Sequence, residues 1–181
     1  HWAKTGDTLL LAANLAAAPR VLEAKRRVNY RGLPARSFIT RCTAERMPFE
    51  WTINPYRGCE FGCKYCYARY THEFMELRQP ADFEEKIFAK IWDADAFRRE
   101  LKKVRPGESI AIGSATDPYQ PAERRYGIMR KMLEIFAEKR GYQVSITTKS
   151  DLVARDAGLL ARLGRPNRVL VCHSLTTPHA R

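Results

Sequence analysis

The chain of 181 residues contains no apolar run long enough to span a bilayer, so membrane insertion is not expected. It has no internal repeat and no low-complexity tract. A second Cys-X2-Cys pair, which a four-cysteine zinc site would need, is missing. Acidic residues are scarce beside basic ones: 20 Asp and Glu against 32 Lys and Arg, a formal net charge of +12. A hydrophobic fraction of 45% argues against a chain disordered throughout, and the length suits one domain with a real core. Residues 9–18 are apolar and run into an Ala-Ala-Ala-Pro sequence, a faint likeness to a secretion signal. The charged start that such a signal needs is weak, and we read the stretch as a helix or the remnant of a longer chain.

What is present is concentrated at Cys59, Cys63 and Cys66, spaced Cys-X3-Cys-X2-Cys and followed by Tyr67. Three thiolates so close in sequence hold three irons of a cubane [4Fe–4S] cluster and leave the fourth iron without a protein ligand. Such an iron is a binding position for substrate or cofactor. Gly58 and Gly62 let the backbone approach inorganic sulfides, and Pro55 stiffens the entry. Arg57, Lys64 and Arg69 favour thiolates over thiols, and amide N–H groups of the loop are available to the sulfurs. Structural zinc is the alternative, with His72 as fourth ligand. A disulfide plus a free thiol is the third reading, made awkward by the count of five cysteines. Free cysteines in this spacing place the chain in a reducing, cytoplasmic compartment.

Around this loop the pattern alternates strand and helix. Strands are expected at residues 49–53, 86–92, 109–113, 144–147 and 168–173. Helices are expected at 68–77, 93–104, 124–139 (closed by Gly141) and 152–163. Short buried strands separated by helices imply an α/β fold with a parallel sheet, wound by right-handed crossovers into a barrel-like arc. Residues 1–47 read as a basic N-terminal extension and residues 48–181 as the core. The stretch 20–46 carries Arg20, Lys25, Arg26, Arg27, Arg31, Arg36, Arg41 and Arg46 against Glu23 and Glu45, a net +6. Such a block is able to neutralise nucleic-acid phosphates, with Tyr30, Phe38 and Trp51 as candidate base-stacking rings; a solvated basic face and core aromatics are the plainer reading.

The cysteine motif with its following aromatic resembles the signature of the radical S-adenosylmethionine (SAM) enzymes. The runs Asn54-Pro-Tyr-Arg-Gly-Cys59, Thr116-Asp-Pro-Tyr-Gln-Pro121 and Thr147-Thr-Lys-Ser150 resemble the branch related to spore photoproduct lyase, whose members often carry the label DNA-repair photolyase. The resemblance covers about residues 48–177. It implies a partial parallel (β/α) barrel whose last unit is missing, since the chain stops just after the expected strand at 168–173. It also implies a [4Fe–4S] cluster on Cys59, Cys63 and Cys66, and SAM on the open iron. SAM would then be cleaved reductively to methionine and a 5′-deoxyadenosyl radical. An electron donor such as flavodoxin or ferredoxin follows from the same chemistry.

By resemblance, Ser114, Lys149 and Ser174 match SAM-contacting positions, and Tyr67 is placed to meet the adenine. Asp117 joins this set as a candidate at a strand end, where parallel α/β folds bind ligands. Lys149 suits the SAM carboxylate and the serines suit ribose hydroxyls. Each has a plain alternative: turn closure for Ser114, Ser174 and Asp117, a surface lysine for Lys149. Tyr119, Gln120 and Glu123 are further candidates for a substrate pocket, and Cys172 reads as core. Two positions depart from the relatives. Gly113 stands where photoproduct lyases have a hydrogen-donating cysteine, and Phe61 stands where many carry His. The non-enzymatic alternative is a cluster-bearing module that contacts nucleic acid, or an inactive fragment.

Overall fold

The computed structural model describes residues 28–75, 77 and 79–175. Those residues form, in chain order, β1 (Asn29–Leu33), β2 (Ile39–Arg41), β3 (Trp51–Ile53), β4 (Tyr56–Arg57), α1 (Asp82–Glu85), β5 (Lys86–Lys90), α2 (Ala94–Leu101), β6 (Ser109–Ile112), α3 (Ala122–Tyr126), α4 (Ile128–Ala137), β7 (Gln143–Thr148), α5 (Ala157–Leu163) and β8 (Arg168–His173). Two 3-10 stretches, Tyr67–Met75 and Asp151–Asp156, complete the list of helical pieces.

The main sheet runs β2-β3-β6-β7-β8. From β3 to β8 every neighbour is parallel, and β2 joins antiparallel at one edge. The expected α/β class with a parallel sheet is therefore what folds, but the described strands form an open sheet rather than a closed barrel. The strand expected at 86–92 departs from the simple arc. As β5 it belongs to a second sheet, β1-β5-β4, parallel to β1 and antiparallel to β4. The cause lies between β3 and β4. Pro55 brings no N–H to a ladder, so pairing breaks there and the chain resumes against β5, with Lys90 N donating to the Pro55 carbonyl at 3.2 Å.

Side-chain alternation explains the layers. Ile53, Ile110, Ile112, Val144 and Ile146 point to one face and are buried against Met129, Met132, Leu133 and Phe136 of α4, Phe97 and Leu101 of α2, and Leu159 and Leu163 of α5. Asp93 starts α2 by accepting from Ala96 N at 2.9 Å. The helix expected at 124–139 is two helices. Gly127 takes the left-handed conformation (φ 61°) and breaks it, and the buried Glu123 carboxylate caps the second piece through Met129 N (2.9 Å) and Arg130 N (3.1 Å). The stretch 152–163 likewise begins as a 3-10 turn and becomes α-helical only at Ala157.

Residues 28–47, part of the expected extension, are built into these layers. β1 pairs with β5, β2 pairs with β3, and Phe38 and Ile39 enter the core. Glu100 of α2 fastens the segment by accepting from Ser37 Oγ (2.8 Å), Phe38 N (2.8 Å) and Ile39 N (3.0 Å). Phe38 and Trp51 are buried, and half-buried Tyr30 spends its hydroxyl on Glu60 at 2.9 Å. The expectation of base-stacking rings is corrected: burial outweighs display for these three aromatics. Arg20, Lys25, Arg26 and Arg27 lie outside the described residues. No helix among the described residues is long and apolar enough to cross a membrane.

Candidate functional site

The face of the sheet opposite the helices, at the C-terminal strand ends, opens into a cavity of about 620 Å³. Its lining follows from strand parity. Ala111 and Gly113, Ser145 and Thr147, and Leu170 and Cys172 alternate with the core residues of β6, β7 and β8. The loop after β4 supplies Cys59, Cys63 and Cys66, so all three motif cysteines line the same space. Tyr67, Ser114, Asp117, Lys149 and Ser174 line it too. Four loops far apart in sequence thus converge on one chamber.

The cysteine loop is held from several sides. Gly58 has φ 79°, and a Cβ there would lie 2.8 Å from the Lys86 carbonyl and 2.9 Å from the Phe83 carbonyl, so the backbone presses directly on α1 and β5. Cys59 N donates to the Phe83 carbonyl at 2.8 Å. Arg69 pairs with Glu84 and donates to the Cys63 and Pro80 carbonyls at 3.1 Å each. Its charge therefore braces the loop. Cys59 is buried, Cys63 and Cys66 are partly exposed, and all three are free thiols. Burial pushes the Cys59 thiol up to about 12, with the backbone N–H groups of Phe61 and Asp117 pulling the other way. Burial thus favours the neutral thiol, and metal binding there would displace its proton.

Among the described residues no three Cys, His, Asp or Glu side chains converge as ligands of a single ion. His72, the fourth ligand of the zinc alternative, does not line the cavity. Its Nε2 sits 3.3 Å from the Lys86 carbonyl, and its ring packs edge-on to Phe83 and Phe88. Burial lowers its pKa.

The remaining candidates are placed as follows. Asn54 Nδ2 donates to Ser114 Oγ at 3.0 Å while its Oδ1 accepts from Ala115 N at 2.8 Å, tying the end of β3 to the turn after β6. As acceptor there, Ser114 keeps its own hydroxyl hydrogen to donate. The Tyr67 hydroxyl donates to the Ser114 carbonyl. Asp117 is buried and staples its turn to the end of β7: Oδ1 accepts from Tyr119 N (2.9 Å) and Thr148 Oγ1 (2.7 Å), Oδ2 from Lys149 N (2.7 Å). Desolvation raises its pKa all the same. Lys149 Nζ donates to Tyr65 Oη at 2.5 Å and lies 4.7 Å from that ring's centre; the Tyr65 hydrogen bond raises its pKa, with Cys63 adding to the effect. Ser174 N donates to the Thr148 carbonyl at 2.8 Å, which seats Ser174 beside β7.

Two expectations are corrected. Tyr119, Gln120 and Glu123 do not line the cavity; all three are fully buried behind its wall. Cys172 is exposed on the cavity face rather than in the core, because Thr147, its register partner on β7, faces the same way. The rim residues Met47, Pro48 and Phe49 and the floor residue Leu170 escaped the sequence reading. Only parity along a strand of known register reveals Leu170.

An open parallel sheet with a cysteine-bearing chamber at its C-terminal strand ends defines an α/β protein whose candidate site lies where this class of fold holds its ligands. The radical SAM superfamily model matches residues 53–181, and the chain belongs to that superfamily. It is 40% identical over 135 residues to the uncharacterized protein Rv2578c of Mycobacterium tuberculosis, covering 73% of this chain and 39% of that protein. Similarity extends to the uncharacterized protein MJ0683 of Methanocaldococcus jannaschii (32% over 113 residues; 62% of this chain, 40% of that protein). The uncharacterized protein ORF301 of Acidianus two-tailed virus is 30% identical over 116 residues, 61% of this chain and 38% of its own. The chain thus spans about two fifths of the curated relatives it matches. No solved structure is significantly similar to it.

The superfamily implies a [4Fe–4S] cluster and SAM, and the donor set fits them. Three free thiols from one loop line one chamber, the donor set of a cubane with one iron left open. Ser114, Lys149 and Ser174 add hydroxyl and ammonium groups to a wall otherwise rich in apolar side chains such as Phe49, Phe61, Phe83 and Leu170.

Proposed function

We propose that Cys59, Cys63 and Cys66 hold a [4Fe–4S] cluster and that SAM binds beside it, among Tyr67, Ser114, Asp117, Lys149 and Ser174. When bound, the reduced cluster supplies the electron that splits SAM into methionine and a 5′-deoxyadenosyl radical. The chain's own part is binding, orientation and exclusion of water. Lys149 offers an ammonium to the SAM carboxylate, held in place by Tyr65. Ser114 and Ser174 offer hydroxyls to the ribose. Asp117 keeps the turn after β6 fixed against β7, so that these groups do not drift apart. The observation that carries the reading is the convergence of all three cysteine thiols with Ser114, Lys149 and Ser174 on one cavity.

The finer proposal is a nucleic-acid substrate, with flavodoxin or ferredoxin as electron donor and a reducing, cytoplasmic setting. It is supported by the +12 charge and by exposed Arg31, Arg36, Arg41 and Arg46, the last directly preceding the rim residues Met47-Pro48-Phe49. The photoproduct-lyase reaction itself is not part of the proposal. Gly113 has φ 92°, and a Cβ there would lie 2.6 Å from the Thr147 carbonyl and 2.8 Å from Pro118 Cδ, so a cysteine has no room at this position.

Anaerobic protein reconstituted with iron and sulfide and supplied with dithionite and SAM is expected to release 5′-deoxyadenosine and methionine in equal amounts. A stable cluster without SAM cleavage would instead favour a non-catalytic module.

A further inference from the structure

The run Thr116-Asp-Pro-Tyr-Gln-Pro121 contributes only Thr116 and Asp117 to the cavity wall, yet its fourth and fifth members are wholly buried. Gln120 accounts for this. Its Oε1 accepts from Glu60 N at 3.0 Å, and its Nε2 donates to the Gly58 carbonyl at 3.0 Å and to Thr116 Oγ1 at 2.9 Å. One side-chain amide therefore satisfies the C=O before Cys59 and the N–H after it. A neighbouring strand's peptide does the same for the residue it faces in a parallel pair. On the other side, Cys59 N donates to the Phe83 carbonyl at 2.8 Å. The first cysteine of the loop is thus held like a residue in a central strand, with a glutamine standing in for the missing neighbour.

The clasp is reciprocal. Glu60 reaches back, its Oε1 accepting from Ala122 N at 2.8 Å and its Oε2 from Tyr30 Oη at 2.9 Å. Thr116 adds a third bond, Oγ1 to the Gly58 carbonyl at 2.6 Å. Between them these groups lock the turn 116–120 to the loop 58–60. We propose that Gln120 is a positioning residue for the iron–sulfur site: by holding the Gly58 carbonyl and the Glu60 amide on either side of Cys59 it fixes this cysteine and the loop amides around its sulfur, and so sets the cluster's reduction potential. N–H···S hydrogen bonds stabilise the more negative, reduced state, and loosening them lowers the potential. The inference rests on the reading of Cys59, Cys63 and Cys66 as cluster ligands.

The test compares wild type, Gln120→Met and Thr116→Val, each reconstituted anaerobically with iron and sulfide. The readouts are iron and sulfide content, the resonance spectrum of the dithionite-reduced protein, and the midpoint potential. Gln120→Met keeps the side-chain length without its bonds. It is expected to show a lower potential and a broadened resonance. Thr116→Val, which loses one bond to the Gly58 carbonyl and one acceptor for Gln120, is expected to shift the same way by less, and it carries the test should Gln120→Met not fold. A Gln120→Met cluster with wild-type potential and line shape, in a protein merely less heat-stable, would reduce Gln120 to a structural role and overturn the inference. Wild type that assembles no cubane overturns the cluster reading itself, and the inference with it.

Discussion

Glu123 joins the fold to the site, and its replacement exposes how. The carboxylate is fully buried and collects four donors: Tyr56 Oη at 2.5 Å, Met129 N at 2.9 Å, Arg130 N at 3.1 Å and Arg155 Nη2 at 2.9 Å. Glu123→Ala removes the shared acceptor of all four. The Tyr56 hydroxyl, itself buried, loses its partner at about 2 kcal/mol. The first turn of α4 loses a cap at about 1 kcal/mol. Arg155 retains Asp156 at 2.8 Å, so its loss is nearer 1 kcal/mol. The total is about 4 kcal/mol, a large share of the ~5–15 kcal/mol that holds a domain together. Glu123→Gln retains one acceptor oxygen and is expected to cost about half as much. Urea unfolding of the apo protein, followed by far-ultraviolet circular dichroism, measures both. A loss below about 1 kcal/mol for Glu123→Ala would show that the network is replaceable by water and refute the argument. Because Tyr56 stands two residues before Gly58, cluster uptake is expected to fall together with stability.

Gly113→Ala is expected to destabilise the protein by about 2 kcal/mol, from the strained φ of 92° and the 2.6 Å approach to the Thr147 carbonyl; denaturant midpoints check it. Lys149→Met is expected to leave iron and sulfide content unchanged while weakening SAM binding about tenfold or more, measured by equilibrium dialysis against the reconstituted protein. The stability of the apo protein relative to Lys90→Met is expected to rise between pH 8 and 9. Burial lowers the Lys90 pKa from 10.5 to about 8, so in this interval the unfolded chain binds the proton that the folded chain has released. The gain is at most about 1.4 kcal/mol over that pH unit. Cys59, whose thiol pKa burial raises, opposes this gain as the unfolded thiols ionise, so the difference between wild type and Lys90→Met in urea titrations is what isolates it.

The alternation of short apolar strands with helices was legible because core burial leaves a periodic trace: β6, β7 and β8 fall within a residue or so of their expected bounds. The placement of β5 was not, because a break at Pro55 redirects pairing without changing the composition of any strand. Gly127 was likewise silent, since the apolar spacing of α4 continues through the preceding turn. That Cys59, Cys63 and Cys66 belong together was suggested by spacing alone, and the fold sets them on one cavity. The Gln120 clasp was not, because a buried amide bonding to backbone leaves no periodicity and no charge pattern. Cys172 shows the same limit from another side. Its strand was correct, but whether its thiol faces core or cavity depends on a register that only the folded sheet supplies.

The central claim is a cubane cluster held by three thiolates with one iron left to SAM. Its most direct test is the resonance spectrum of the anaerobically reconstituted, dithionite-reduced protein before and after SAM is added. A spectrum typical of a reduced [4Fe–4S] cluster that changes on adding SAM, and that disappears in Cys59→Ala, Cys63→Ala and Cys66→Ala, is the predicted result. Protein that takes up no cubane and retains stoichiometric zinc instead would contradict the account.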